Sequence, residues 1–158
     1  MSLEKAEKHL EKYSLSDRII LFEVSSATVA LAAAALGTEE KRIAKTLSFM
    51  TADGAILIVC AGDAKIDNRK FKDKFHVKAK MLERDTVEET IGHGVGGVCP
   101  FGVNPDIKIY LDKSLLRFDV VYPAAGTASS AVRLTPEELY SASEALEWID
   151  VTSVPEES

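Results

Sequence analysis

Apolar positions along the chain alternate between two periods. Leu3, Ala6, Leu10 and Tyr13 recur at spacings of three and four, which puts them on one face of an N-terminal helix. Residues 18–24 are apolar and rich in β-formers and predict a strand. The alanine-rich stretch 27–37 predicts a packed helix, with Ser25 and Ser26 as caps and Gly37 as its left-handed terminator. A short helix is expected over 39–44. Two apolar runs, 47–51 and 55–61, flank Ala52-Asp53-Gly54, and the Asp-Gly pair signals a hairpin. Asp67 can cap a basic helix running through Phe75, and 78–82 predicts a short strand. Asp85-Thr86-Val87-Glu88 has the spacing of a capping box, and Thr135-Pro136-Glu137-Glu138 is a stronger one, with proline at the first helical position. Further strands are expected over 107–111, 118–122, 131–134 and 148–151.

Strands therefore outnumber the helices that could serve as crossovers, and several pairs are joined by short turns. That predicts an α/β chain of the α+β kind, with a mixed, largely antiparallel sheet flanked by helices. A length of 158 residues with no repeat, linker or composition break fits one domain over 1–158. No apolar run reaches the ~20 residues that span a bilayer, and the first residues lack the pattern of a secretion signal, so no membrane partner is expected. Cys60 and Cys99 each follow an apolar residue, which reads as two reduced, buried thiols of a cytoplasmic protein.

The net charge of −6 is unevenly spread. Lys65, Arg69, Lys70, Lys72, Lys74, Lys78 and Lys80 form a basic band, whereas the chain from Thr135 onward has seven acids and no Lys or Arg. Such a balance disfavours wrapping a long nucleic acid, DNA included, but allows contact with a few phosphates.

Gly92, Gly94 and Gly97 formally satisfy GxGxxG. A dinucleotide site needs a helix to open directly after those glycines, and Val98-Cys99-Pro100-Phe101-Gly102 cannot begin one. What remains is a stretch of unobstructed main-chain N–H groups. It suits either an oxyanion or carbonyl oxygen, or a tight bend where two backbones approach closely.

Conventional hydrolytic groups are missing. No His, Asp or Glu pair has metal-ligand spacing, so neither metal nor cofactor is expected. His9 belongs to the first helix and His76 follows the basic one. His93 could approach Cys99, but the intervening residues are expected to bend the two apart.

Taken together, three blocks resemble the family of YbaK and the prolyl-tRNA-synthetase editing domain, free-standing aminoacyl-tRNA deacylases. They are Arg42-Ile43-Ala44-Lys45-Thr46-Leu47; Gly96-Gly97-Val98-Cys99-Pro100-Phe101-Gly102, with its GxxxP pattern; and Tyr122-Pro123-Ala124-Ala125-Gly126 with Ala131-Val132-Arg133-Leu134-Thr135-Pro136. The resemblance implies a compact barrel-like sheet surrounded by helices, and hydrolysis of the ester joining a wrongly attached small amino acid to the 3′ end of a tRNA. It implies that Lys45 binds the phosphate near the terminal adenosine, and that the main chain at Gly96 and Gly97 faces the ester carbonyl. Val98, Cys99 and Pro100 of the same loop, Gly126 of the closing turn, and Ser26, Thr28 and Ala131 would contact the substrate.

Family members that remove cysteine carry an aspartate where this chain has Ala131, so another small amino acid is expected. With no side-chain base at hand, the resemblance implies assistance from the vicinal ribose hydroxyl. The partner is then the tRNA acceptor end, with Lys65, Arg69, Lys70 and Lys72 as phosphate contacts and a synthetase as the source of tRNA identity. A module of the same fold that binds the tRNA end or a synthetase without hydrolysis is the alternative.

Overall fold

The computed structural model describes residues 2–23, 28–94 and 96–155. Its elements are α1 (Ser2–Glu11), β1 (Ile19–Leu21), α2 (Val29–Leu36), β2 (Ile43–Thr51), β3 (Gly54–Ala61), β4 (Lys65–Ile66), α3 (Asn68–Phe75), α4 (Arg84–Ile91), β5 (Lys108–Asp112), β6 (Tyr122–Pro123), β7 (Ser130–Val132), α5 (Pro136–Ser143), β8 (Trp148–Ile149) and β9 (Thr152–Ser153).

The main sheet has the order β6-β2-β3-β5-β8, and β1-β7 and β4-β9 form two small ribbons. The long β2-β3 hairpin and both ribbons are antiparallel, so most paired positions are too. The outer pairings β2-β6, β3-β5 and β5-β8 are parallel. An antiparallel bridge between Val121 and Leu134 continues the β6 edge toward the β1-β7 ribbon. The sheet is thus mixed, as the strand count predicts.

Local signals mostly act where expected. Thr135 and Glu138 close a reciprocal capping box on α5, Asp67 caps α3, and Gly37 ends α2 at φ +68°. Two caps differ. Thr28 caps α2 through Leu31 N–H, while Ser25 and Ser26 lie outside the described residues. The helix expected to open on Asp85 begins one residue earlier with Glu83 as a cap that makes no side-chain bond, which leaves Asp85 inside the first turn. At the hairpin Gly54 is already the first residue of β3, paired with Thr51 at φ +117°, so Ala52 and Asp53 alone form the loop.

The expected strand at 78–82 makes a single bridge, Met81 to Phe49. It lies against the outer edge of β2, where Met50 N–H donates to Lys80 O and Leu82 N–H to Ser48 O. At the other end of that edge Ala44 pairs with Pro123. Between these two attachments the edge of β2 has no strand beside it among the described residues, and there a cleft opens.

Asp112, fully buried at the end of β5, ties the far side of the sheet together. Its carboxylate accepts from Ser114 N–H, Val151 N–H and the Thr152 hydroxyl at 2.9, 2.9 and 2.7 Å. Asp112→Ala leaves three donors without an acceptor. It is expected to lower unfolding free energy by about 3–5 kcal/mol in urea titrations, the range for breaking a buried charged contact.

Candidate functional site

The cleft at the β2 edge has a volume of about 420 Å³. Its walls come from the start of α2, from β2, from the 81–84 corner leading into α4, from the glycine loop, and from β7 with the turn before it. Most of its lining is apolar, with small residues (Ala32, Ala44, Ala124, Ala131, Val98) beside larger ones such as Leu36, Met81 and Leu82, and among the described residues none that lines it is an acid. Two lining residues are cations, Lys45 and Arg84.

Lys45 is half-buried. Its ammonium donates to Ala64 O at 2.5 Å and Gly62 O at 3.4 Å, both just beyond the end of β3. Among the described residues no carboxylate pairs with it. Two neutral carbonyls fix its position without cancelling its charge, and an ammonium has three N–H donors, so one donor and the full charge remain for an anion. Arg84, exposed at the rim, makes no ion pair with any described residue.

The glycine loop makes the close backbone approach foreseen for it. A Cβ on Gly97 would lie 2.3 Å from Gly126 O, and one on Gly126, at φ +94°, would lie 2.4 Å from Ser2 O. Loop, turn and the start of α1 are therefore stacked backbone on backbone, as only glycine allows. Gly97 N–H is taken up by Gly94 O. Gly96 and Val98 both line the cleft, and their N–H groups have no partner among the described residues. With no described residue claiming them, those two donors can serve an oxygen of a bound molecule.

Thr46 is the residue that sequence reasoning passed over. Even-numbered residues of β2 turn their amides away from β3, as the bonds of Ser48 and Met50 show. Thr46 sits at the unpaired stretch of that edge, with no strand opposite. Its hydroxyl is buried and unpartnered among the described residues, so this residue brings an unsatisfied polar group to the cleft wall. Ser48 adds a second hydroxyl two residues on. The hydroxyl of Ser130, by contrast, is used within its own turn by Ala125 N–H and Thr127.

The cleft thus collects Lys45, Gly96, Thr28, Val98 and Ala131 from separate parts of the chain. It does not collect Gly97, Cys99, Pro100 or Gly126, which stand behind the loop; Thr127 takes the place expected for Gly126. Ser26 lies outside the described residues. Lys65, Arg69, Lys70 and Lys72 do not reach the cleft either, because β4 and α3 pack on the far ribbon. There Lys70 bonds Asp150 and Thr152 O, and Lys74 pairs with Glu147.

His93 and Cys99 require a correction: the chain between them folds back and brings Cys99 Sγ to 3.5 Å from His93 Nε2. The pair is nevertheless inert. Both residues are fully buried, and burial pushes the thiol up to about 12 and holds the imidazole below its ordinary value. His93 Nε2 also lies 2.6 Å from Phe101 O, which fixes the ring proton on that nitrogen, so it cannot take the thiol proton. Cys99→Ala is expected to keep kcat within about threefold and to cost about 1 kcal/mol of stability, as for a small core cavity. Rate assays and thermal melts check both. Among the described residues no group of three or more His, Cys, Asp or Glu side chains could hold a metal.

Comparison with known proteins agrees with this architecture. The profile of the aminoacyl-tRNA editing domain matches residues 23–142, and the chain belongs to that family. YwhH of Bacillus subtilis (strain 168) is 49% identical over 152 residues, covering 96% of this chain and 97% of that one. EbsC of Enterococcus faecalis, described as a candidate Cys-tRNA(Pro)/Cys-tRNA(Cys) deacylase, is 30% identical over 111 residues, with 69% and 68% covered. A solved structure described as a candidate trans-editing enzyme for prolyl-tRNA synthetase superposes with a TM-score of 0.87 at 29% identity, covering 96% of this chain and 97% of that one.

Proposed function

We propose that this chain is a trans-editing aminoacyl-tRNA deacylase, cleaving the ester between a small amino acid and the terminal adenosine of a mischarged tRNA. The observation that carries the reading is one cleft holding an ammonium clamped by two carbonyls and two unclaimed main-chain N–H groups. The phosphate of the terminal nucleotide is assigned to Lys45. The ester carbonyl oxygen is assigned to Gly96 and Val98 N–H, which stabilise the negative charge that develops there as water attacks. The carbon–oxygen bond to the ribose then breaks; the vicinal hydroxyl passes its proton to the departing ribose oxygen and takes the one that the attacking water gives up, so the protons balance. Placement and oxyanion stabilisation supply the barrier reduction, since among the described residues no side-chain base lines the cleft.

Ala44 and Ala131, with the hydroxyls of Thr46 and Ser48, suit alanine, serine, threonine or cysteine better than an aromatic side chain. A second pocket of this kind is needed because one methylene discriminates by only about 1–3 kcal/mol. A synthetase is assigned the recognition of the tRNA body.

A panel of tRNAs mischarged with those four amino acids tests the reading. Rapid release of one of them is expected; binding without turnover throughout would identify a non-catalytic module instead. Position of the cations makes a second prediction. Arg84→Glu at the rim is expected to raise KM for the preferred substrate roughly tenfold, the effect of about 1.4 kcal/mol. Lys72→Glu on α3 is expected to leave it unchanged, and steady-state kinetics on both variants check this.

A further inference from the structure

Asp63 stands between the two residues whose carbonyls hold Lys45. Its own carboxylate makes no ion pair with that ammonium and is gripped by Arg117, with Nη2 to Oδ1 at 2.5 Å and Nη1 to Oδ2 at 3.2 Å. Arg117 is itself fixed. Its Nε donates to Ser114 O at 2.9 Å, and its guanidinium lies 4.7 Å from the centre of the Phe118 ring. Both members of the pair are mostly covered, at 26% and 21% side-chain exposure, so the fork is not a mobile surface contact. The turn they share is tight: Ala64 N–H bonds Ala61 O, and Ala61 N–H bonds the Ser114 hydroxyl.

We infer that Arg117 is a positioning residue that keeps Lys45 available to a phosphate by sequestering Asp63. The inference rests on the assignment of Lys45 as the phosphate ligand. A carboxylate on the same turn is a tethered competitor for that ammonium, present at an effective concentration on the order of mM. Released from Arg117, it pairs with Lys45 and cancels the charge that the two carbonyls leave intact. The guanidinium, planar and always charged, donates to both carboxylate oxygens at once and so holds them in one orientation.

Binding of 5′-adenosine monophosphate, compared with adenosine, reads the phosphate contribution without any need for turnover. Wild type is expected to prefer the monophosphate. Arg117→Ala is expected to lose that preference by about tenfold, and the double variant Arg117→Ala/Asp63→Asn is expected to regain it. Asp63→Asn alone is expected to bind the monophosphate at least as tightly as wild type, which keeps the test open should Arg117→Ala fail to fold. A merely structural role for the pair predicts the reverse: loss in Asp63→Asn and no rescue in the double variant, and either result overturns the inference. If wild type shows no preference for the monophosphate, the assignment of Lys45 fails first and the inference falls with it.

Discussion

Lys45→Ala is expected to lower kcat/KM for a mischarged tRNA by about a hundredfold, corresponding to about 3 kcal/mol for a lost charge-assisted contact. The melting temperature is expected to stay within a few degrees. The side chain is only half-buried, and its two intramolecular partners are carbonyls of a turn that Ser114 and Arg117 also secure. Removing it therefore deletes a ligand contact without opening the core. Lys45→Arg is expected to rescue poorly, because a broad guanidinium cannot occupy a seat shaped by Gly62 O and Ala64 O around a compact ammonium. Stop-flow deacylation alongside thermal melting checks both halves.

Gly97→Ala is expected to cost about 10²–10³ in kcat, the loss seen when an oxyanion donor is removed. Here the donor is displaced rather than deleted. The new methyl would lie 2.3 Å from Gly126 O and 2.9 Å from Thr127 Cα, atoms of main chain that rest in turn on the start of α1. Neither backbone can yield, so the loop must move and carry Gly96 and Val98 N–H out of place. The loss is expected in kcat rather than in affinity for 5′-adenosine monophosphate, since the phosphate seat proposed at Lys45 lies on a different element. A variant with wild-type kcat would show that the loop is only a bend.

Elements with one strong local signal were legible in the chain: the capping box at Thr135, the cap at Asp67, the glycine after α2 and the long hairpin. Those signals act within a few residues of themselves. The site was legible in part, because Lys45 and the glycine loop belong to recognisable blocks. Thr46 and Arg84 were not, since their place depends on which strand is absent from the edge of β2, and no residue pattern records a missing neighbour. The basic band misled for a related reason. Its charges are contiguous in sequence, yet α3 sets Lys70 and Lys74 against Asp150 and Glu147, and Lys65, Arg69, Lys70 and Lys72 are not among the residues that line the cleft. The contact of His93 with Cys99 was set aside because a bend was expected to part them, yet six residues sufficed for the chain to double back.

Everything proposed for the reaction depends on one nucleotide end bridging an ammonium on β2 and bare main chain at the glycine loop. A crystal structure with a non-hydrolysable aminoacyl-amide of 5′-phosphoadenosine measures that bridge directly. The phosphate is predicted to sit about 3 Å from Lys45 Nζ, with the amide carbonyl oxygen at hydrogen-bond distance from Gly96 or Val98 N–H. An analogue seated elsewhere, or one in the cleft with its phosphate remote from Lys45, would contradict the account.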